Sequence, residues 1–238
     1  MHPGVQTYTR GAQCTANFVF TNGATVYIGQ AAHCAGTGAA TETDGCRAAT
    51  LPVGTPVTVK GASRPGVMVY SSWVTMQANR EKDPATCAYN DLALIRLDPA
   101  DAAKVNPSIP TWGGPVGINT SGARLGSRVY SYGNSSLRLG ITLLSPKTGV
   151  SLGDTGGGWD HEVETVTPGI PGDSGSAFLD ASGRALGVLS TVAVLPIPTS
   201  NGVGDIGREL NYARTRGGVV ADLALGTEPF RANALPLG

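Results

Sequence analysis

Residues 172–176 read Gly-Asp-Ser-Gly-Ser and place Ser174 in a short glycine-containing turn. Two other runs lie far upstream, Ala31-Ala32-His33-Cys34 and Asn90-Asp91-Leu92-Ala93-Leu94. A serine hydroxyl is a poor nucleophile at neutral pH unless a histidine takes its proton and a carboxylate orients that histidine. Each run alone is a weak signal. Together, in the order His, Asp, Ser, they predict one site holding a base, an acid and a nucleophile.

Each of the three residues also has a simpler interpretation. A lone histidine is more often structural or exposed than catalytic, and Asp91 could cap a turn at the start of the apolar strand that follows it. Ser174 could belong to one more turn in a chain with 34 glycines and 16 prolines. The combination favours the catalytic interpretation of His33, Asp91 and Ser174.

The three runs resemble those of the chymotrypsin-like serine proteases, especially the secreted bacterial branch. The likeness extends from about Cys14 to the C-terminal helix. It implies an all-β fold of two six-stranded antiparallel β-barrels, packed face to face, with a C-terminal α-helix and the active site between the barrels. We expect residues 1–110 to form the barrel carrying His33 and Asp91, and residues 111–238 the barrel carrying Ser174. Apolar residues at helical spacing place the helix at about 206–225.

The resemblance also implies the function and the role of each site residue. The expected activity is that of a serine endopeptidase acting through an acyl-enzyme on Ser174, with His33 as general base and Asp91 as its orienting partner. The backbone N–H groups of Gly172 and Ser174 would stabilise the oxyanion. The main alternative is a catalytically silent homologue that acts as a binding protein, because fold does not imply function. An esterase preference on the same residues is a further alternative.

One strand and one loop resemble the substrate cleft of this family. In Leu189-Ser190-Thr191-Val192, Ser190 would bond Asp91 and the backbone near Val192 would pair with substrate. No carboxylate occupies the position expected of a trypsin-type pocket, so we expect a small or medium apolar residue before the cleaved bond. The predicted substrate-binding residues are Pro168, Gly169, Ile170, Pro171, Ser190, Thr191 and Val192.

Asp173 requires a partner if it is buried. In the animal branch of the family the matching aspartate pairs with a new N-terminal ammonium, but this chain lacks the Ile-Val-Gly-Gly start. Bacterial relatives use an internal arginine, and we expect Arg128, with Arg124 as the second choice. His161 follows three glycines and is expected in an exposed, mobile loop.

The four cysteines, Cys14, Cys34, Cys46 and Cys87, form no Cys-x-x-Cys pair. An even number in a chain with only 14% charged residues suggests two disulfides and an oxidising compartment, although free buried thiols are the alternative. Four cysteines allow three pairings. The family resemblance implies Cys14–Cys34, which leaves Cys46–Cys87.

Composition limits the partners. Acidic and basic residues balance at 17 each, no run of like charges points to nucleic acid or an anionic membrane, and no apolar stretch approaches the roughly 20 residues of a membrane span. We expect a secreted, extracellular monomer that acts on proteins or peptides without cofactor or metal. Met1-His2-Pro3 lacks the apolar segment of a signal peptide, so a signal and any pro-segment are expected to be absent.

Overall fold

A computed structural model describes residues 1–39, 42–192 and 200–233. The fold is mostly β, as predicted, with few helices. The strands in these ranges are β1 (Gln6–Thr9), β2 (Ala12–Thr15), β3 (Val19–Asn22), β4 (Thr25–Ala31), β5 (Pro56–Val59), β6 (Gly66–Ser71), β7 (Leu92–Arg96), β8 (Arg128–Tyr132), β9 (Pro146–Thr155), β10 (Asp160–Thr165), β11 (Ala177–Leu179), β12 (Ala185–Val192), β13 (Asn201–Asp205) and β14 (Asp222–Leu223). The α-helices are α1 (Ser72–Asn79), α2 (Pro84–Tyr89), α3 (Pro99–Ala102) and α4 (Ile206–Arg216).

The C-terminal strands form the closed six-stranded barrel that the sequence predicts. Its order is β10-β13-β12-β11-β8-β9, and all of its strand pairs are antiparallel. The interior is apolar, with Val129, Phe178, Leu186 and Val203 completely buried. Burial of these side chains against one another closes the barrel and makes it a rigid support for the strands that face the site.

The N-terminal sheet differs from the predicted second barrel because it is not closed. It has eight strands in the order β14-β3-β4-β7-β6-β5-β1-β2, with β14 and β2 at its edges. The end of β2 makes a different bond: the N–H of Thr15 donates to the carbonyl of Ser174 at 2.8 Å. A main-chain group of the edge strand is thus used to hold the Ser174 turn.

The C-terminal helix is shorter than the predicted 206–225. It ends at Arg216, and the next residue, Gly217, caps it with N–H bonds to Tyr212 and Ala213 carbonyls at 3.3 and 3.1 Å. Gly218 then has φ +65°, a conformation that glycine adopts without strain and that stops the helix. The chain continues into β14, which pairs with β3 of the N-terminal sheet. The division into domains 1–110 and 111–238 stays a prediction.

Both disulfides are confirmed, as Cys14–Cys34 and Cys46–Cys87. The first joins β2 to the 3-10 turn Ala32–Ala35, which contains His33. No helix among residues 1–39, 42–192 and 200–233 has the length and apolar character needed to cross a membrane.

Candidate active site

Strand pairing brings His33 and Asp91 together. His33 follows the end of β4, Asp91 precedes the start of β7, and the two strands are antiparallel with Ala31 opposite Leu92. The Ala32 N–H donates to the Asp91 carbonyl at 2.8 Å, which extends this pairing into the site. Two residues 58 positions apart in sequence therefore lie side by side because both adjoin one pair of strands.

The Asp91 carboxylate, in a residue only 2% exposed, accepts three hydrogen bonds. Oδ1 receives the backbone N–H of His33 at 2.8 Å, and Oδ2 lies 2.6 Å from His33 Nδ1. The Ser190 hydroxyl donates to the same Oδ2 at 2.6 Å. An ionised carboxylate only accepts, so Nδ1 carries the proton and Nε2 is left as the basic nitrogen.

The charge of Asp91 controls the protonation of His33. Burial by itself lowers the pKa of His33, but the charge of Asp91 and its hydrogen bond outweigh that effect and raise the pKa above its ordinary value of 6.5. Asp91 thus stabilises the imidazolium that would form when His33 accepts a proton.

The Ser174 turn is held by its carbonyl groups. The Gly172 carbonyl accepts from Gln13 Nε2 at 2.9 Å and from Thr15 Oγ1 at 2.7 Å, and the Ser174 carbonyl accepts from the Thr15 N–H. Gly172 has φ +96°, which favours glycine. The N–H groups of Gly172 and Ser174 donate to no acceptor in the described part of the chain.

Ser174 and His33 line one cleft of about 740 Å³. The hydrogen bonds among the described residues do not include one between the Ser174 hydroxyl and His33 Nε2. Such a bond is often long without substrate and tightens in the complex.

Asp173 is completely buried and pairs with two cations, neither of which is the predicted Arg128 or Arg124. Its Oδ2 lies 2.5 Å from Arg138 Nη2 and 3.1 Å from Lys147 Nζ. The predicted Arg128 is exposed at the start of β8, whereas Arg138 follows the end of that strand in the 3-10 turn Ser136–Arg138. The prediction that Asp173 pairs with a cation from within the chain is confirmed, but the choice of Arg128 or Arg124 is wrong.

Lys147 also holds the neighbouring loop. Its side chain is 1% exposed, and Nζ donates to the carbonyls of Thr167 and Pro168 at 3.0 and 2.8 Å. Burial lowers the pKa of Lys147, Asp173 opposes that change, and the charge of Arg138 adds to it. Nothing in the run Pro146-Lys147-Thr148 distinguishes this lysine from a surface residue, so the sequence analysis missed it.

The structure brings most of the predicted pocket residues to the cleft. Pro168 does not line it, because its carbonyl is turned toward Lys147. The side chain of Val192 lies outside the described residues. Leu189 lines the cleft in addition to the predicted set. The predicted residues that line it are His33, Asp91, Gly169, Ile170, Pro171, Gly172, Ser174, Ser190 and Thr191.

His161 does not lie in an exposed loop as predicted. It is in β10, is completely buried, and sits between two carboxylates, with Nδ1 2.7 Å from Asp154 Oδ1 and Nε2 3.0 Å from Asp205 Oδ2. It does not line the cleft. Its position in β10, whose outward and inward residues alternate, explains why a histidine after three glycines is buried.

Two clusters in the described ranges have the residue types of a metal site. One contains Cys14, His33 and Cys34, and the other contains Asp44, Cys46 and Cys87. In both, the cysteines are joined to each other as a disulfide, so they offer no thiolate ligand.

The sequence matches no protein-family profile and no curated protein. The structure is similar to those of bacterial proteases. Thermobifida fusca protease A is 18% identical, with a TM-score of 0.60 over 95% of this chain and 100% of the other. Nocardiopsis protease is 19% identical, with a TM-score of 0.54 over 94% and 99%. Cellulomonas bogoriensis chymotrypsin is 17% identical, with a TM-score of 0.53 over 94% and 99%. The chain therefore has the fold of the chymotrypsin-like serine proteases.

Proposed function

We propose that this protein is a serine endopeptidase that hydrolyses peptide bonds through an acyl-enzyme on Ser174. The observation that carries the proposal is the hydrogen-bonded pair of His33 and Asp91, which lines one cleft with Ser174. The backbone N–H groups of Gly172 and Ser174, which have no acceptor among the described residues, belong to the same cleft lining. The likeness in fold to proteases supports the same conclusion.

Each residue has a defined part in the reaction. His33 Nε2 takes the Ser174 hydroxyl proton as Oγ attacks the peptide carbonyl carbon, and the Gly172 and Ser174 N–H groups bind the oxyanion. Removing one such donor typically costs about 3–4 kcal/mol of transition-state stabilisation. The imidazolium then protonates the leaving amine as the C–N bond breaks. Water, deprotonated by His33, releases the acid and restores Ser174. These groups supply every proton transfer, so we propose no cofactor or metal.

The proposed preference before the cleaved bond is a small or medium apolar residue. The wall residues Gly169, Ile170, Leu189 and Thr191 carry no charge, and a wall that offers no opposite charge disfavours a charged side chain. The edge of β12 near Ser190 would accept the substrate backbone as an added strand.

We propose that the protein works outside the cell, as a monomer acting on proteins or peptides, with no nucleic acid or membrane partner. Two disulfides support an oxidising compartment, because thiols stay reduced in most cytosols. The balanced charge supports the absence of a polyanionic partner.

The test is the intact mass of the protein after exposure to a fluorophosphonate. We expect one adduct on the native chain, none on Ser174→Ala, and one on the control Ser182→Ala, which alters an exposed serine in the β11–β12 turn. If the native protein is folded by circular dichroism yet gains no adduct, the proposal of an active enzyme is refuted. The alternative, a catalytically silent homologue that acts as a binding protein, would then remain. If the native chain is labelled, matched ester and amide substrates would separate an esterase from an endopeptidase. A peptide library would then define the preferred residue before the cleaved bond.

A further inference from the structure

Glu209 lies behind Asp91, against its backbone N–H. It belongs to α4, is completely buried, and its Oε1 accepts the backbone N–H of Asp91 at 2.8 Å. The two residues are 118 positions apart in sequence. A C-terminal helix thus contacts the main chain of the predicted catalytic aspartate.

Glu209 forms no ion pair with a cation in residues 1–39, 42–192 or 200–233. The ion pairs among the described residues do not include it, and the titratable groups around it are Asp91 from the start of β7, Asp205 from β13 and Tyr70 from β6. A buried, unpaired carboxylate beside another carboxylate is far more costly than a carboxylic acid. Burial, and then the charges of Asp91 and Asp205, raise the pKa of Glu209 well above its ordinary value despite the hydrogen bond from Asp91.

Asp91 is held on three sides. Its carbonyl accepts the Ala32 N–H, its carboxylate accepts from His33 and Ser190, and its N–H donates to Glu209. Space for the last contact comes from Gly204, where an added Cβ would lie 2.8 Å from Glu209 Oε1. Without Glu209 the Asp91 N–H would be a buried donor with no partner, and the main chain of Asp91 would lose one of the contacts that hold it.

We propose that Glu209 is a positioning residue, a neutral carboxylic acid that fixes the main chain of Asp91 and hence the orientation of His33. The inference rests on the proposed function for its catalytic consequence. Its structural part stands on the buried contact alone. Neutrality matters because an ionised Glu209 would add a second negative charge near the imidazolium and move the titration of His33 to higher pH.

Three variants separate these effects. Glu209→Gln keeps an oxygen acceptor without an ionisable group, and Glu209→Met keeps an unbranched side chain of similar length without the acceptor. The control is Tyr212→Phe, which removes another polar contact of α4, the 3.0 Å bond from the Tyr212 hydroxyl to Glu81 Oε2, without touching Asp91.

The primary measurement is NMR of the His33 Nδ1 proton and its titration, which needs no turnover. We expect Glu209→Gln and Tyr212→Phe to match the wild type, and Glu209→Met to broaden the resonance by faster exchange with water. We also expect Glu209→Met to lower kcat about tenfold with little change in KM, the scale of one lost buried hydrogen bond. Glu209→Met behaving like Tyr212→Phe in both readouts would overturn the positioning role. A lower His33 pKa in Glu209→Gln would overturn the neutral state.

A second measurement protects the test against a variant that does not fold. In the wild type, the Glu209 carboxyl carbon should keep the chemical shift of a protonated carboxylic acid between about pH 5 and about pH 8, where an ordinary glutamate is ionised. A constant shift at the carboxylate value would show an ionised side chain and overturn the neutral state. A titrating carbon would overturn the proposal. Fluorophosphonate labelling of the wild type tests the proposed enzymatic function, whereas the NMR measurements test the role of Glu209. Failure of one proposal can therefore be distinguished from failure of the other.

Discussion

The ammonium of Lys147, on a side chain only 1% exposed, donates to the carbonyl of Pro168 at 2.8 Å while it pairs with Asp173 in the turn of Ser174. One buried cation therefore joins the loop beside the substrate cleft to the turn whose N–H groups would bind the oxyanion.

Replacing Lys147 tests this link. Lys147→Met should lower the free energy of unfolding by about 1–3 kcal/mol, because the Thr167 and Pro168 carbonyls lose a buried donor while Arg138 still pairs with Asp173. It should also lower kcat through a looser oxyanion turn. Urea denaturation and steady-state kinetics measure the two effects. Lys60→Met, at an exposed lysine, should change neither, and equal behaviour of the two variants would contradict the role of Lys147.

The dependence of activity on pH should follow His33. Asp91 raises the pKa of His33 above 6.5, and the base must be neutral to take the Ser174 proton, so kcat/KM should increase as the pH rises through that higher value. The profile of kcat/KM against pH measures the midpoint. A flat profile between about pH 5 and about pH 8 would exclude a histidine base.

Ser190 should contribute to activity through Asp91. Ser190→Ala removes the 2.6 Å hydrogen bond to Asp91 Oδ2, and a bond to a charged group of this kind corresponds to roughly a tenfold decrease in kcat/KM. The matched control is Ser200→Ala, which removes a 2.9 Å bond to the Glu162 carboxylate and does not alter a residue of the cleft. A similar small change in both variants would show that the Ser190 contact does not support catalysis.

Gly175 should not tolerate a methyl group. An added Cβ would lie 2.5 Å from the Thr15 carbonyl oxygen and 2.9 Å from the Ala31 nitrogen, and φ is +87°. Gly175→Ala should therefore lose both stability and fluorophosphonate labelling. Gly126 has a similar φ of +79° and open space around it, so Gly126→Ala reports the strain alone, about 1–2 kcal/mol. Equal losses in the two variants would show that close packing at Gly175 is unimportant.

Stability should depend on pH through His161. Burial lowers the pKa of His161, but hydrogen bonds and charges from Asp205 and Asp154 outweigh it and raise the pKa above 6.5. The protonated ring therefore stabilises the fold at low pH, and this contribution disappears as the pH rises through the raised pKa. As the pH rises above about 6.5, the free energy of unfolding should fall more steeply in the wild type than in His161→Gln.

The carboxyl group of Asp160, the residue before His161, titrates at lower pH and does not affect that comparison. Burial raises the pKa of Asp160 to about 6, so its contribution changes mainly below the chosen window. Should His161→Gln fail to fold, the titration of the His161 ring by NMR in the wild type replaces it. A ring that titrates at or below the ordinary histidine value would contradict the prediction.

The resemblance carried by the three runs predicted the closed barrel. The spacing of His33, Asp91 and Ser174, the even number of cysteines and the glycine-rich turns are all visible along the chain. Glu209 could also have been noticed, because it lies three residues after Ile206 on the apolar face of the helix pattern, where a charged side chain is unusual.

The sequence by itself determined which residues could carry the chemistry, because a nucleophile, a base and an acid are recognised by type and order. Tertiary structure alone decided the partners of the buried charged groups: Lys147 and Arg138 for Asp173, the Asp91 N–H for Glu209, and two carboxylates for His161. It also left the N-terminal sheet open and ended α4 before β14. These contacts join residues far apart in the chain, and burial, which sets the cost of an unpaired charge, exists only once the chain has folded.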